Sequence, residues 1–224
     1  MKENLQTIYN TCNIMELKLY CNRDTWVIQH YLDEDLLKKI KTFIQDNLDE
    51  FIEDTEGYST TGKDSRQYWL INKKRNAFYE HPKFHEIMDE FTLKILNRIK
   101  KTGLFVKEGE ENIKLCPLSA WSVIGEEGSY HRCHDHGGDI HGISTLLYLE
   151  VPENNKESEP ENSLYMITHV GPRSHMIKNT SYSLEINPEV GKLLIFPNWI
   201  PHGTYPQTKG IRQTFNANFY MIKE

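Results

Sequence analysis

What the chain lacks narrows the field first. No apolar run approaches the roughly 18 residues of a membrane-spanning helix, and the mean hydropathy is -0.63. The opening residues MKENLQTIYN hold no apolar core of a secretion signal. Cysteine is scarce: 4 in 224 residues, at 12, 21, 116 and 133, with no CxxC pair. That spacing fits neither a zinc ribbon nor a secreted disulfide framework, so reduced thiols in the cytoplasm are expected. There is no basic stripe. The 26 basic residues face 32 acidic ones, for a net charge of -6, which weighs against a phosphate-backbone binder. The sequon at Asn179, with no export signal before it, reads as chance. No internal repeat and no Gly/Pro-rich linker divides the chain. One compact unit over residues 1–224 is expected, with 1–110 as helical and strand support and 111–224 as a β core.

The apolar pattern then changes period along the chain. Short strands are expected at 17–20, 25–30 and 68–71. Asp33 reads as the N-cap of a helix over 35–51, where Leu36, Leu37, Ile40, Phe43, Ile44, Leu48 and Phe51 recur at helical spacing. A second helix is bracketed by Pro82 at its first position and Gly103 at its stop. Beyond Gly103 come strand-like runs at 113–124, 144–151, 164–168, 181–186, 192–196 and 211–222, parted by turn residues. Helices with one apolar face need a sheet to cover. The fold class predicted is therefore α+β, mainly β: a sandwich with N-terminal supporting helices. The charged stretch 152–161 reads as a solvated connection in preference to a lid.

One compositional anomaly stands out. Of 10 histidines, those at 131, 134, 136 and 141 crowd into one short stretch. On a strand, residues i and i+2 share a face, so His134 and His136 can both reach an ion at about 2.0–2.2 Å. Asp135 then points away. A third ligand must come from elsewhere, and His202 is the best candidate. It follows a strand, and Pro197, Pro201 and Pro206 keep its segment out of helix. His131 and His141 are weaker candidates. Both, with His169 and His175, are read as surface or hydrogen-bonded side chains.

Arg212 stands ten residues beyond His202. In a strand, Arg212, Thr214, Asn216, Asn218 and Tyr220 share one face, and Ile211, Phe215, Ala217, Phe219 and Met221 the other. The apolar face suits packing beneath helices. The polar face is either open to water, its usual fate, or lines a cavity. A guanidinium binds a carboxylate bidentately, and a hydroxyl two residues on adds a third bond. A metal beside an Arg212/Thr214 clamp suits a keto acid that chelates at one end and is anchored at the other.

These residues resemble a known family. GSYHRCHDHGGDIHGISTLLYLEVP, followed by EINPEVGKLLIFPNWIPHGTYPQTKGIRQTFNANFY, is similar to the core of the Fe(II)/2-oxoglutarate-dependent oxygenases, in the small bacterial and phage branch related to prolyl hydroxylases. The pattern covers about 119–222. It comprises the HxH clip, the LLYL strand, the P-x-x-G-x-L-L-I-F-P run, the following histidine, and G-x-R-x-T. The resemblance implies a double-stranded β-helix (jelly roll) that uses Fe(II), 2-oxoglutarate and O2. It implies hydroxylation of a substrate with release of succinate and CO2. By the same analogy His134, His136 and His202 bind iron, while Arg212 and Thr214 hold the C5 carboxylate of 2-oxoglutarate. Tyr148 matches a tyrosine that contacts that carboxylate. No further catalytic residue is assigned.

Position 136 departs from the family pattern, in which the clip is HxD or HxE. Three readings of the centre stay open: iron on three imidazoles, another metal such as zinc, or a carboxylate replacing one histidine, with Asp139 the nearest. Two rival functions also stand. A cupin-like metalloenzyme without 2-oxoglutarate shares the histidines but gives Arg212 no role, and a non-catalytic jelly-roll module predicts no metal retention. Trp121, Trp199 and Tyr130 are candidate substrate-pocket residues, though buried aromatics are ordinary in any core. The acidic balance disfavours a nucleic-acid substrate; a protein side chain, a peptide or a small metabolite all stay open, and the oligomeric state has no signature in the sequence.

Overall fold

The computed structural model describes residues 18–22, 25–54, 65–72, 81–103, 113–137, 142–152, 161–167 and 183–223. Eleven strands and two α-helices occur among them. The strands are β1 (Lys18–Asn22), β2 (Thr25–Tyr31), β3 (Phe51–Glu53), β4 (Ser65–Asn72), β5 (Ile113–Gly125), β6 (Gly142–Glu150), β7 (Leu164–Ile167), β8 (Ser183–Ile186), β9 (Lys192–Pro197), β10 (His202–Thr204) and β11 (Arg212–Lys223). The helices are α1 (Glu34–Asn47) and α2 (Pro82–Thr102). A major sheet of eight strands runs β1-β2-β9-β6-β11-β5-β4-β3, and a minor sheet of three runs β10-β7-β8. All pairings are antiparallel. The N-terminal strands lengthen both edges of the major sheet.

Alternation along the central strands builds two cores from one sheet. On β9, Leu193 and Ile195 face the helices, while Leu194 and Phe196 face the minor sheet. On β6, Leu147 and Leu149 take the helix side, and Leu146 and Tyr148 the inner side. The helix side carries most of the apolar mass. Phe43 of α1 stacks on Phe84 of α2 at 5.3 Å, and Phe91 of α2 meets Phe215 of β11 edge-on, also at 5.3 Å. The inner side, between the sheets, is left for the site.

Helix boundaries follow their caps. The Asp33 carboxylate accepts a hydrogen bond from the Leu36 amide at 3.2 Å, and Glu34 and Asp35 occupy the positive first turn of α1. Pro82 opens α2, and Gly103 closes it at φ 68 with Lys100 and Lys101 in the last turn. The expected helix over 35–51 is corrected at its C-terminal end. α1 stops at Asn47, a single 3₁₀ turn spans Leu48–Glu50, and Phe51 starts β3 paired to Asn72. Phe51 is still buried, 6.1 Å from the Phe43 ring. Periodicity marked it as core, and strand pairing decided its backbone. The loop stretch 153–160, His141, His169, His175, Asp139 and Asn179 lie outside the described residues.

Candidate metal centre and anion pocket

The HxH clip is not on a regular strand, contrary to the expectation. It is pinned by a lone antiparallel bridge between His134 and His202. The His134 amide donates to the His202 carbonyl at 2.9 Å, and the His202 amide donates back at 2.8 Å. The His136 amide donates to the Asn198 carbonyl at 2.8 Å. The clip is thereby docked, at two points, on the turn from β9 into β10. That turn is set by Pro197, whose carbonyl accepts from the Ile200 amide at 3.1 Å. At Gly203 the chain passes so close to the Tyr165 ring that a Cβ would lie 2.4 Å from its hydroxyl oxygen, so only glycine fits there.

One ligand atom from each of His134, His136 and His202 lies within 4.8 Å of the others. Nε2 of His134 and Nε2 of His136 are 3.3 Å apart. The remaining ring nitrogens are committed. Nδ1 of His134 lies 2.7 Å from the Arg132 carbonyl, and Nδ1 of His202 lies 2.8 Å from the Ile200 carbonyl. A carbonyl only accepts, so both Nδ1 atoms carry the proton and both Nε2 atoms keep their lone pair. Lone pairs converging at such distances repel unless a cation lies between them. Burial lowers the pKa of all three: His134 moderately, His136 to about 4, and His202 well below its ordinary value. Neutral imidazoles with inward lone pairs are the form that ligates a metal.

The histidines line a cavity between the sheets. Its walls include Trp121, His131, Tyr148, Phe196, Thr204, Arg212, Thr214 and Asn216. Of the two fates open to the polar face of β11, the structure takes the second: Arg212, Thr214 and Asn216 are buried and line this cavity. Phe215, Ala217 and Phe219 join the core beneath the helices. Arg212 is only 5% exposed. It donates to the Thr204 hydroxyl at 3.0 Å and to the Asn162 carbonyl at 3.2 Å. Both partners are neutral, and burial pulls its pKa down. Beside it the Tyr148 side chain is fully buried, and its hydroxyl has no hydrogen-bond partner among the described residues. Burial pushes the Tyr148 phenol up, against the pull of the Arg212 charge. Among the described residues that line this cavity, a buried cation and a buried hydroxyl stand together with no carboxylate in the wall, a combination suited to an anion.

Several lining residues escaped sequence reading. Thr204, the closest partner of Arg212, stands two positions after His202 and shares its face of β10; period-two alternation would have found it. Asn162 offers its carbonyl from a turn held at φ 68, which no local pattern announces. His131, read as a surface or hydrogen-bonded histidine, lines the cavity, where burial lowers its pKa to about 3. It is not one of the three converging ligands. Thr214 lines the cavity but accepts from Asn216 Nδ2 at 3.0 Å, not from Arg212. Trp121 meets the His136 ring edge-on at 5.2 Å, Tyr130 lines an outer groove beside the cavity mouth, and Trp199 packs against the inter-sheet core.

The topology, two antiparallel sheets enclosing a histidine triad that could hold a metal ion, defines a double-stranded β-helix fold. Residues 119–218 match the family model described as putative 2OG-Fe(II) oxygenase. That match spans a little under half of the chain and, together with the site, indicates a 2OG-Fe(II) oxygenase, a class whose cofactors are Fe(II) and 2-oxoglutarate. No curated protein matches the chain. Among solved structures it is similar to a Pseudomonas putida prolyl-4-hydroxylase at 15% identity, covering 87% of this chain and 91% of that one, with a TM-score of 0.52. It is similar to a Trichoplax adhaerens prolyl hydroxylase solved with a hypoxia inducible factor peptide fragment (12% identity, 89% and 84% covered, TM-score 0.55). A Burkholderia pseudomallei oxidoreductase of the 2OG-Fe(II) oxygenase family aligns at 11% identity, with 87% and 84% covered and a TM-score of 0.58. At these identities the neighbours speak for the fold.

Proposed function

We propose that His134, His136 and His202 hold the ferrous ion and that Arg212 and Tyr148 anchor the distal carboxylate of 2-oxoglutarate, with Thr214 lining the same wall. The single observation that carries this reading is the shared cavity. Three imidazoles with inward lone pairs and a buried guanidinium beside a hydroxyl that has no partner among the described residues line the same cavity. A dicarboxylic keto acid is complementary to both features at once.

Fe(II) with 2-oxoglutarate supplies the oxidising power, drawn from O2, that releases CO2 and succinate and hydroxylates a substrate C–H bond. The chain's residues orient and enclose. The Arg132 and Ile200 carbonyls hold two imidazoles in the ligating tautomer. Arg212 supplies positive charge where the cosubstrate's far end arrives, and Tyr148 supplies the proton of a hydrogen bond to it. Trp121, Leu146, Phe196 and Leu164 make the intervening wall apolar, which strengthens those polar contacts by keeping water out. A cupin-like enzyme without a keto acid would leave the buried guanidinium and the hydroxyl beside it without a role.

The substrate we infer is a peptide, protein side chain or small metabolite rather than a nucleic acid, because the chain is acidic overall, at -6. No helix among the described residues is long and apolar enough to cross a membrane; with its unpaired thiols Cys116 and Cys133, the protein is assigned here to the cytoplasm. The test is uncoupled turnover. With Fe(II), 2-oxoglutarate and ascorbate, the wild type should form succinate, and His134→Ala and His202→Ala should abolish it. Succinate formation unchanged in both variants would remove the ligand assignment.

A further inference from the structure

His136 occupies the position where the family pattern has a carboxylate, and its outer nitrogen meets an arrangement unlike that of the other two histidines. Nδ1 of His136 lies 2.8 Å from the Ser144 hydroxyl and 2.9 Å from the Asn218 side-chain oxygen. The Ser144 hydroxyl in turn donates to the same Asn218 oxygen at 2.9 Å. Three polar atoms close a triangle. Ser144 and Asn218 are directly opposed across β6 and β11 in the sheet register, so the triangle is built on two hydrogen-bonded central strands and not on a loop.

The proton positions follow from the chemistry of the groups. An amide oxygen accepts and never donates, so the Asn218 contact requires a hydrogen on Nδ1 of His136. That leaves its Nε2 bare, facing Nε2 of His134 at 3.3 Å. Because the Ser144 hydroxyl spends its proton on Asn218, only its lone pairs are left for the imidazole. Both oxygens therefore face one N–H as acceptors. His134 and His202 are oriented by backbone carbonyls of residues two positions before them. His136, in contrast, is held by side chains, Ser144 of β6 and Asn218 of β11.

We propose that Asn218, braced by Ser144, is a positioning residue for the metal centre: it fixes the tautomer and ring plane of His136 and so makes a neutral imidazole serviceable where a carboxylate would need no such partner. A carboxylate ligates through either oxygen and carries no proton to place. An imidazole ligates through one nitrogen only, and only when the other holds the hydrogen. The histidine at 136 thus brings a requirement that the carboxylate did not, and the Asn218/Ser144 pair meets it. This inference rests on the three-histidine reading of the centre.

Metal binding tests it without turnover. Co(II) is titrated into the metal-free protein and followed by calorimetry and by its visible absorption bands. Removal of an outer hydrogen-bond partner of a ligating histidine typically weakens metal affinity about 10–100-fold. Asn218→Ala is expected to show a loss of that size. Asn218→Asp, which keeps an acceptor oxygen at the same place, is expected to restore affinity to the wild-type value or beyond, and Ser144→Ala to give a smaller loss in the same direction. The melting temperature of the metal-free Asn218→Ala protein should match the wild type.

Wild-type Co(II) affinity in Asn218→Ala overturns the proposal, as does an Asp variant no better than the Ala variant. If Asn218→Ala fails to fold, Ser144→Ala with wild-type affinity overturns it equally. Failure of the underlying reading looks different: the wild type then binds no Co(II), or binds it undiminished in His136→Ala.

Discussion

Tyr148→Phe isolates one atom. The ring is fully buried in the inter-sheet core, and the substitution keeps it. The hydroxyl has no partner among the described residues, so the variant breaks no hydrogen bond to any of them. Folding stability should therefore not fall, and the melting temperature of the metal-free protein should stay level or rise. Cosubstrate binding should behave in the opposite way. A hydrogen bond from a phenol to a carboxylate contributes about 1.5–3 kcal/mol, which at about 1.4 kcal/mol per decade is roughly a 10–100-fold loss of 2-oxoglutarate affinity. The assay is a thermal-shift titration of the Co(II)-loaded protein with 2-oxoglutarate, where the same ligand concentration should give the variant a smaller shift. An unchanged 2-oxoglutarate titration would refute the placement of the carboxylate at this hydroxyl. A drop of many degrees in the metal-free melting temperature would show that the hydroxyl serves the fold instead.

The other predictions draw on different parts of the molecule. Arg212→Met should cost more cosubstrate affinity than Tyr148→Phe, on the order of 10²–10⁴-fold for two charge-assisted bonds. It should leave the metal-free fold as stable or more so, since an apolar side chain then replaces a buried charge whose hydrogen-bond partners among the described residues are neutral; wild-type 2-oxoglutarate dependence of succinate formation would refute it. His30 is buried, and burial together with the Arg98 and Lys101 charges lowers its pKa to about 4 from 6.5. The unfolded chain therefore binds its proton first, and stability should be lost as pH falls from about 6.5 toward 4, by up to about 2 kcal/mol at pH 5. Urea midpoints of the wild type and His30→Leu at pH 7 and pH 5 check this, with the variant expected to lose less between the two. Trp121 lies 5.2 Å from His136, so Co(II) binding should quench tryptophan fluorescence in the wild type and clearly less in Trp121→Phe; equal quenching would place the metal elsewhere.

Much of this architecture is written in local patterns. Pro82 and Gly103 bound α2 because their backbone preferences act within a turn, with no help from the rest of the molecule. The split of β11 into a polar and an apolar face is readable because side chains alternate wherever a strand forms. The three histidines were legible as residue types at suggestive spacing, and the oxygenase resemblance is borne out by the family match over 119–218. Phe51 shows the limit. Its apolar spacing extended the helix on paper, yet pairing with Asn72, a residue of the distant strand β4, turned it into extended backbone.

Chain chemistry by itself determined which groups could ligate, which could bind an anion, and which faces had to be covered, since these are properties of single residues and their near neighbours. Only the tertiary structure decided that the polar face of β11 is enclosed rather than wet, that His131 and Thr204 wall the cavity, and that Asn218 and Ser144 meet at His136. Those outcomes depend on strand register and sheet stacking, which bring together residues more than seventy positions apart; the free energy of such contacts belongs to the assembled fold, and no window of sequence contains it.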